Sequence, residues 1–308
     1  MRMFFENHGL TSRVLALSFH NDNTELLIGK IRPNVGIGND ITSGFNNDWS
    51  GLYGTMLPGG YTNSNKIGLQ LHADVQMFKY SKQIFEIALF KSDTTKMNDA
   101  VFTDTRTFGH SSPYELRNFL SKRIAGDTKL PASFSVLFIN KVDLPNGNTL
   151  NYAVTYRKQA VDSQLSFAKD ENTYLTSAQY EKAIETSTLG AFSEFGTITN
   201  AHGVRGIREY YFTASGYFSF DKFTTALIYN TYRMNGHGGF GISKVNFSQN
   251  QISFGYRFSP NYKVNIAYRS IKDGQSGKSG QGGGIGFSYN FGTKSEEDRR
   301  GRSRHAII

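Results

Sequence analysis

Between residues 251 and 291, apolar and polar side chains alternate almost without a break. In 251–258, Ile252, Phe254, Tyr256 and Phe258 alternate with Gln251, Ser253, Gly255 and Arg257. In 261–269, Tyr262, Val264, Ile266 and Tyr268 alternate with Asn261, Lys263, Asn265, Ala267 and Arg269. In 284–291, Ile285, Phe287, Tyr289 and Phe291 alternate with Gly284, Gly286, Ser288 and Asn290. A period of two sustained in this way is the mark of β-strands with one apolar face, because successive strand side chains point to opposite sides.

The pattern recurs upstream. Ile67, Leu69, Leu71, Ala73, Val75 and Met77 alternate with Lys66, Gly68, Gln70, His72, Asp74 and Gln76. Phe134, Val136 and Phe138, the turn Pro145-Asn146-Gly147, and then Tyr152, Val154 and Tyr156 read as a hairpin. Further strands are expected over 13–19, 24–32, 83–90, 160–168, 188–197, 210–220 and 223–233, about 13 in all. Residues 113–123 and 177–184 read as short helices inside connections. The connections fall into two lengths: 259–260, 220–222 and 79–82 are tight, whereas 35–65, 92–130, 234–250 and 270–283 are long and polar. Tight turns on one rim and long loops on the other describe a membrane β-barrel.

Composition narrows the class further. Hydrophobic residues are only 38%, yet 14% of the chain is aromatic and Gly outnumbers Pro 32 to 6, so the low figure does not signal disorder. No apolar run approaches the length of a transmembrane helix. With no cysteine, disulfides and Cys-ligated metal sites are excluded. The start, Met1-Arg-Met-Phe-Phe-Glu6, shows no signal peptide. Tyr256, Tyr262, Tyr268 and Tyr289 lie at strand ends on the apolar face, where an aromatic girdle at a lipid interface would place them. The opposite face carries Gly, Ser, Asn, Gln and isolated Lys or Arg, which suits a water-filled lumen. A soluble β-sandwich, adhesive or structural, is the rival that alternation alone leaves open.

Several segments resemble Gram-negative outer-membrane porins, closest to the phosphate-selective group. They are Leu27-Ile-Gly-Lys-Ile-Arg-Pro-Asn-Val-Gly36, Trp49-Ser-Gly-Leu-Tyr-Gly54, Asn65-Lys-Ile-Gly68, Phe85-Glu-Ile-Ala-Leu-Phe-Lys-Ser-Asp-Thr-Thr95, Ala100-Val-Phe-Thr103, Ala132-Ser-Phe-Ser-Val136 and Leu150-Asn-Tyr152. The resemblance runs over roughly residues 10–292. It implies an all-β transmembrane antiparallel barrel with 12–14 of 16 strands in this chain, the start of the family's barrel and its signal peptide lying outside it. It implies a bacterial outer-membrane location, passive diffusion of small hydrophilic solutes, contact with outer-membrane lipid and lipopolysaccharide, and a homotrimer. Phe291 matches the family's terminal aromatic. Residues 1–292 thus form the barrel domain, and the charged stretch 293–308 is expected to be a disordered tail.

The charges bear on selectivity. Lys and Arg total 34 against 25 Asp and Glu, for a formal charge of +9. On the polar parity lie Lys66, Arg157, Arg257, Lys263 and Arg269, with Lys30 and Arg32 in a blurred register, against Asp74. These residues, with His72, are the expected pore lining, with rim positions facing lipopolysaccharide phosphates or lipid head groups as the alternative for the basic ones. Such a basic excess favours anions of the phosphate or carboxylate kind. No basic stripe with a stacking platform points to nucleic acid. His72 and Asp74 share the polar face of one strand, so an outer-membrane hydrolase is the enzymatic alternative. No serine elbow accompanies them, and the expectation is no enzyme, no cofactor and no metal. Gly236-His-Gly-Gly-Phe-Gly241 matches a dinucleotide fingerprint but lacks the following helix, so it reads as a loop. The constriction is expected where a long loop, 92–130 in particular, folds into or over the pore.

Overall fold

The computed structural model describes residues 2–6, 9–31, 33–37, 66–92, 133–160, 168–236, 245–259, 262–274 and 276–289. Fourteen strands lie in one sheet, every strand antiparallel to its neighbour in sequence. They are β1 (Arg2–Glu6), β2 (Gly9–His20), β3 (Thr24–Ile31), β4 (Lys66–Phe78), β5 (Ser81–Ser92), β6 (Ser133–Leu144) and β7 (Asn148–Gln159). The second half comprises β8 (Glu171–Ile184), β9 (Ser187–Thr199), β10 (Arg208–Phe220), β11 (Phe223–Asn235), β12 (Val245–Ser259), β13 (Tyr262–Asp273) and β14 (Ser279–Tyr289). Among the described residues there is no α-helix, and no pairing joins β14 to β1.

One rim carries the turns 21–23, 79–80, 145–147, 185–186 and 221–222, and β12 ends and β13 begins at the same rim. Reversal this tight forces the left-handed backbone region on Asn146 (φ 65°), Glu185 (φ 47°) and Asp221 (φ 51°). At the opposite rim the strands are joined through the long stretches 32–65, 93–132, 160–170, 200–207 and 236–244 and the shorter 7–8 and 274–278. These are the short-turn and long-loop rims of an outer-membrane barrel.

The surface is inverted relative to a protein soluble in water. Phe254, Ile266, Ile285 and Phe287 are exposed, while Gln251, Ser253, Lys263 and Asn265 on the alternate face are buried. Ile252, Tyr256, Tyr262 and Val264 are half-buried on the outward side; the side chain of Tyr289 lies outside the described residues. The same holds on β8–β11: Tyr174, Phe195, Phe212 and Leu227 face out, whereas Thr173, Glu194, Thr213 and Asn230 are buried. Exposing some thirty large apolar side chains to water would be unstable, so this outer face is solvated by lipid. Aromatics pair across strands on it, Tyr156 with Tyr174 at 4.9 Å between centroids and Phe223 with Tyr256 at 4.8 Å. Curvature shows in contacts between strands that are not neighbours: the Tyr217 hydroxyl of β10 donates to Glu181 of β8 at 3.1 Å.

Several sequence expectations need correction. Residues 177–184, read as a helix, are the second half of β8, paired to both β7 and β9. Of the strand expected over 160–168, residues 161–167 lie outside the described residues; Ala168 makes an isolated bridge to Val204. Arg2–Glu6 forms β1, which the alternation did not reveal. Two loops are shorter than expected, because β12 begins at Val245, β13 reaches Asp273 and β14 begins at Ser279. Near the loop rim both faces are wet, so the apolar-polar contrast fades while the hydrogen-bond ladder continues. The helix expected at 113–123, the constriction at 92–130 beyond Ser92, and the tail 293–308 lie outside the described residues.

Candidate functional site: the barrel interior

The interior is crossed by residues 33–37, which continue from β3. Asn34 is clamped by one carboxylate: its backbone N donates to Glu86 Oε1 at 2.9 Å and its Nδ2 to Glu86 Oε2 at 2.6 Å. Gly36 N donates to Thr155 Oγ1 at 2.9 Å, and Ile37 N to Ser177 Oγ at 3.4 Å. The Ser177 hydroxyl in turn donates to Glu194 Oε2 at 2.8 Å. The segment thus takes its hydrogen-bond partners from the inner faces of β5, β7 and β8, with Glu194 of β9 behind Ser177. An inward-turned backbone must find partners for its N–H groups, and polar inward side chains provide them.

Packing reinforces the polar anchors. Val35 and Ile37 are buried, and Ile37 sits in a cluster of inward apolar residues that includes Ile84, Leu137, Ile139, Phe192 and Tyr217. That corrects the expectation of a uniformly polar lumen: one level of the wall is apolar, and Ile37 covers it. Gly36 has φ +68°, and a Cβ there would run into Leu175 and Glu194 and lie 3.0 Å from Ser177 Oγ. Only glycine combines that backbone angle with so close an approach to the wall.

A second connection turns inward at the loop rim. Ala201, Val204 and Ile207 of the β9–β10 connection pack on Ile198, Tyr211, Tyr232 and Met234. Beside this lid Glu209 accepts from the Tyr211 hydroxyl at 2.5 Å and the Tyr232 hydroxyl at 3.1 Å. The approach from the loop rim is therefore narrowed by two elements, one polar and one apolar.

The expected pore-lining residues do not form one ring. Arg157 is buried toward the loop rim, its Nη2 donating to Gln159 Oε1 at 2.5 Å and its guanidinium 5.4 Å from the Phe90 ring centroid. Lys263 is buried near the turn rim, its stem lying over Gly255. Its register partner Arg257 is exposed beside a register irregularity between Arg257 and Ser259. Arg269 is half-buried, between Gln251 and Gly282. Lys30 is buried, and its partners Leu15 and Ile67 put it in the set opposite to Gln70 and His72. Lys66 opens β4 opposite Ile31 and Ser92, its side chain outside the described residues, as is Arg32.

His72 and Asp74 do come together, with Nε2 3.0 Å from Oδ1. The other Asp74 oxygen takes the Lys82 ammonium, so the carboxylate is shared between two cations or donors. The neighbouring interior hydroxyl is that of Ser18, which donates to Glu25 Oε1 at 2.6 Å, and Glu25 is the register partner of His72. A serine nucleophile needs its hydroxyl on the histidine; here it is on a carboxylate. The cluster makes a hydrated, charged wall.

Sequence reasoning missed the acids of the interior. Glu86, Glu171, Glu194 and Glu209 are all buried, against Arg157 and Lys263 on the same inward parity. Glu194 was within reach, since it alternates with Phe195, Ser193 and Ala191 in an expected strand. Glu86 was not: β5 is apolar on both faces, with Ile84, Ala88 and Phe90 inward and Ile87 and Leu89 outward, so parity alone is silent.

No protein-family model matches the chain, and no curated protein does. Among solved structures the chain is similar to OmpTdeltaL8, the loop L8 deletion mutant of OmpT, an outer membrane protein of Vibrio cholerae. The TM-score is 0.51 at 10% identity, over 91% of this chain and 80% of that one. The trimer form of in-vitro folded OmpT gives 0.49 at 10% identity, over 91% and 81%. The first likeness, with the inverted surface described above, shows the fold: an antiparallel transmembrane β-barrel of the outer-membrane-protein type.

Proposed function

We propose that the chain is a diffusion pore of the bacterial outer membrane, passing small hydrophilic solutes without any reaction. The observation that carries this reading is the segment 33–37, held across the lumen by Glu86, Thr155 and Ser177. An inward backbone segment seated on polar wall residues narrows a barrel without closing it to water, and it sets which charges a solute passes. The finer affiliation, with phosphate-selective porins, rests on the glycine-rich segments quoted above.

On selectivity the geometry favours cations, the reverse of the expectation from strand parity. Glu86 touches segment 33–37 and Glu194 supports its Ser177 anchor, against one buried cation nearby, Arg157, two residues beyond Thr155 on β7, whereas Arg257 and Lys263 stand near the turn rim. Screening acts over about 8 Å at physiological salt, so charges at the narrowest level outweigh those in a wide mouth. The test is the reversal potential across a salt gradient, for the wild type and for Glu86→Gln with Glu194→Gln. The wild type should prefer cations and the double variant should lose that preference; an anion-selective wild type would return the selectivity to the basic residues.

The hydrolase reading retains one specific observation, the 3.0 Å contact between His72 and Asp74. It is the weaker reading because Ser18 is bonded to Glu25. Turnover of an ester or peptide substrate that His72→Ala abolishes in a folded barrel would establish it.

A further inference from the structure

We propose that the outer face of β10, β11 and β13, at the loop rim, is a binding site for the phosphorylated headgroup of an outer-leaflet glycolipid. On β9 to β13 the outward alternate positions read Ser-Leu-Ala-Ser-Phe-Thr-Thr, Arg-Tyr-Phe-Ala-Gly-Phe-Phe, Phe-Thr-Leu-Tyr-Thr-Arg-Asn, Asn-Ser-Asn-Ile-Phe-Tyr-Phe and Tyr-Val-Ile-Tyr-Ser-Lys. None is acidic. The three cations, Arg208, Arg233 and Lys272, all fall in the loop-rim rows and are exposed. Register brings them close: Arg208 pairs with Asn235, Arg233 with Tyr210, and Lys272 with Ser248, itself the partner of Thr231. No ion pair to an acid is formed by any of the three among the described residues.

A cavity of about 580 Å³ lies beside Arg233, lined on the outward face by Phe195, Tyr210, Phe212, Thr231, Arg233 and Asn235, with Tyr211 of the inner face also bordering it. Its floor is aromatic and its upper edge carries a guanidinium and an amide. From the turn rim upward the outer surface runs from Phe223 and Leu227 through Tyr229 to Thr231 and then Arg233. That order matches acyl chain, interface and charged headgroup in one leaflet. Long loops face the cell exterior in such barrels, so the leaflet at this rim is the outer one. Guanidinium groups bind phosphate with two parallel hydrogen bonds, which suits Arg208 and Arg233 to phosphate esters rather than to neutral sugars. The site depends on the barrel standing in the membrane and not on its conducting solutes.

The test uses the full chain refolded in neutral detergent and native mass spectrometry, with a bisphosphorylated lipid A as probe. The wild type should retain it, should bind the dephosphorylated glycolipid weakly, and should not release it to millimolar inorganic phosphate. Each cation near a lipid surface is worth about fivefold in affinity, so Arg208→Gln, Arg233→Gln and Lys272→Gln together should weaken binding about a hundredfold. Conductance should be unchanged, which separates this proposal from the pore reading. Lys182→Gln, an exposed outward cation at the other rim, should have little effect. Equal binding by the triple variant, or an equal loss in Lys182→Gln, overturns the proposal; displacement by inorganic phosphate converts the site to one for free anions and overturns it too. If the triple variant does not fold, Arg233→Gln alone decides, with a fivefold loss expected and none refuting.

Discussion

Replacing Gly36 by valine, together with Asn34→Ala, should release segment 33–37 from the lumen and widen the pore. At φ +68° an L-residue costs about 1–2 kcal/mol, and β-branching adds to this. The new side chain also meets Leu175, Glu194 and Ser177, and overpacking of that kind costs about 1–3 kcal/mol. Together these destabilise the docked segment by about 2–5 kcal/mol, a shift in the docked-to-released ratio of about thirtyfold to several thousandfold. The principal polar anchor is the pair of hydrogen bonds from Asn34 to the Glu86 carboxylate, worth about 1.5–3 kcal/mol each. Gly36→Val alone therefore offsets about one or two such bonds, and Asn34→Ala removes the side-chain one. Single-channel recording in planar bilayers and swelling of liposomes in sugars of increasing size read the outcome. The double variant should carry a larger current and admit larger sugars, whereas Gly280→Val, with nothing near its Cβ position, should change neither. Unchanged current and size limit in a folded double variant would show that solutes bypass the segment.

Three further outcomes follow from the same geometry. Phe254→Arg places a charge on the lipid face and should cost about 2–4 kcal/mol if it lies near the membrane midplane, read as a lower urea midpoint for unfolding from vesicles; no change would argue against lipid contact there. Arg257→Glu, Lys263→Glu and Arg269→Glu together should move the reversal potential toward cations by less than neutralising Glu86 and Glu194 moves it toward anions, and a larger effect would place the selective level at the turn rim. His72→Ala should change single-channel current, because His72 is the register partner of Glu86, whose carboxylate holds Asn34; a current within the wild-type range would place that wall outside the constriction.

The strands read best from sequence where lipid meets one face and water the other. The windows 251–258, 261–269 and 284–291 fall within β12, β13 and β14, apart from the residues at their ends that lie outside the described set. Where that contrast is absent, local composition misled: Ala178-Gln-Tyr-Glu-Lys-Ala-Ile184 is rich in helix formers, yet pairing with β7 and β9 draws it into β8. Glu86 was invisible because both faces of β5 are apolar. The inward run Pro33-Asn-Val-Gly-Ile37 was quoted only for its resemblance to porins. Its burial against β5, β7 and β8 joins residues up to 140 positions apart, and no periodicity records such contacts.

Because every strand pairs only with its neighbours in the chain, the sheet is modular in the manner of a repeat array. A hairpin inserted or deleted at a short turn would alter the girth of the cylinder while leaving every remaining pairing in register. Bore and gauge are then separate variables: girth follows from how many hairpins are present, and the narrowest passage from a five-residue run anchored on only a few of them. Selection, or an engineer, can tune permeability by editing that run without touching the staves.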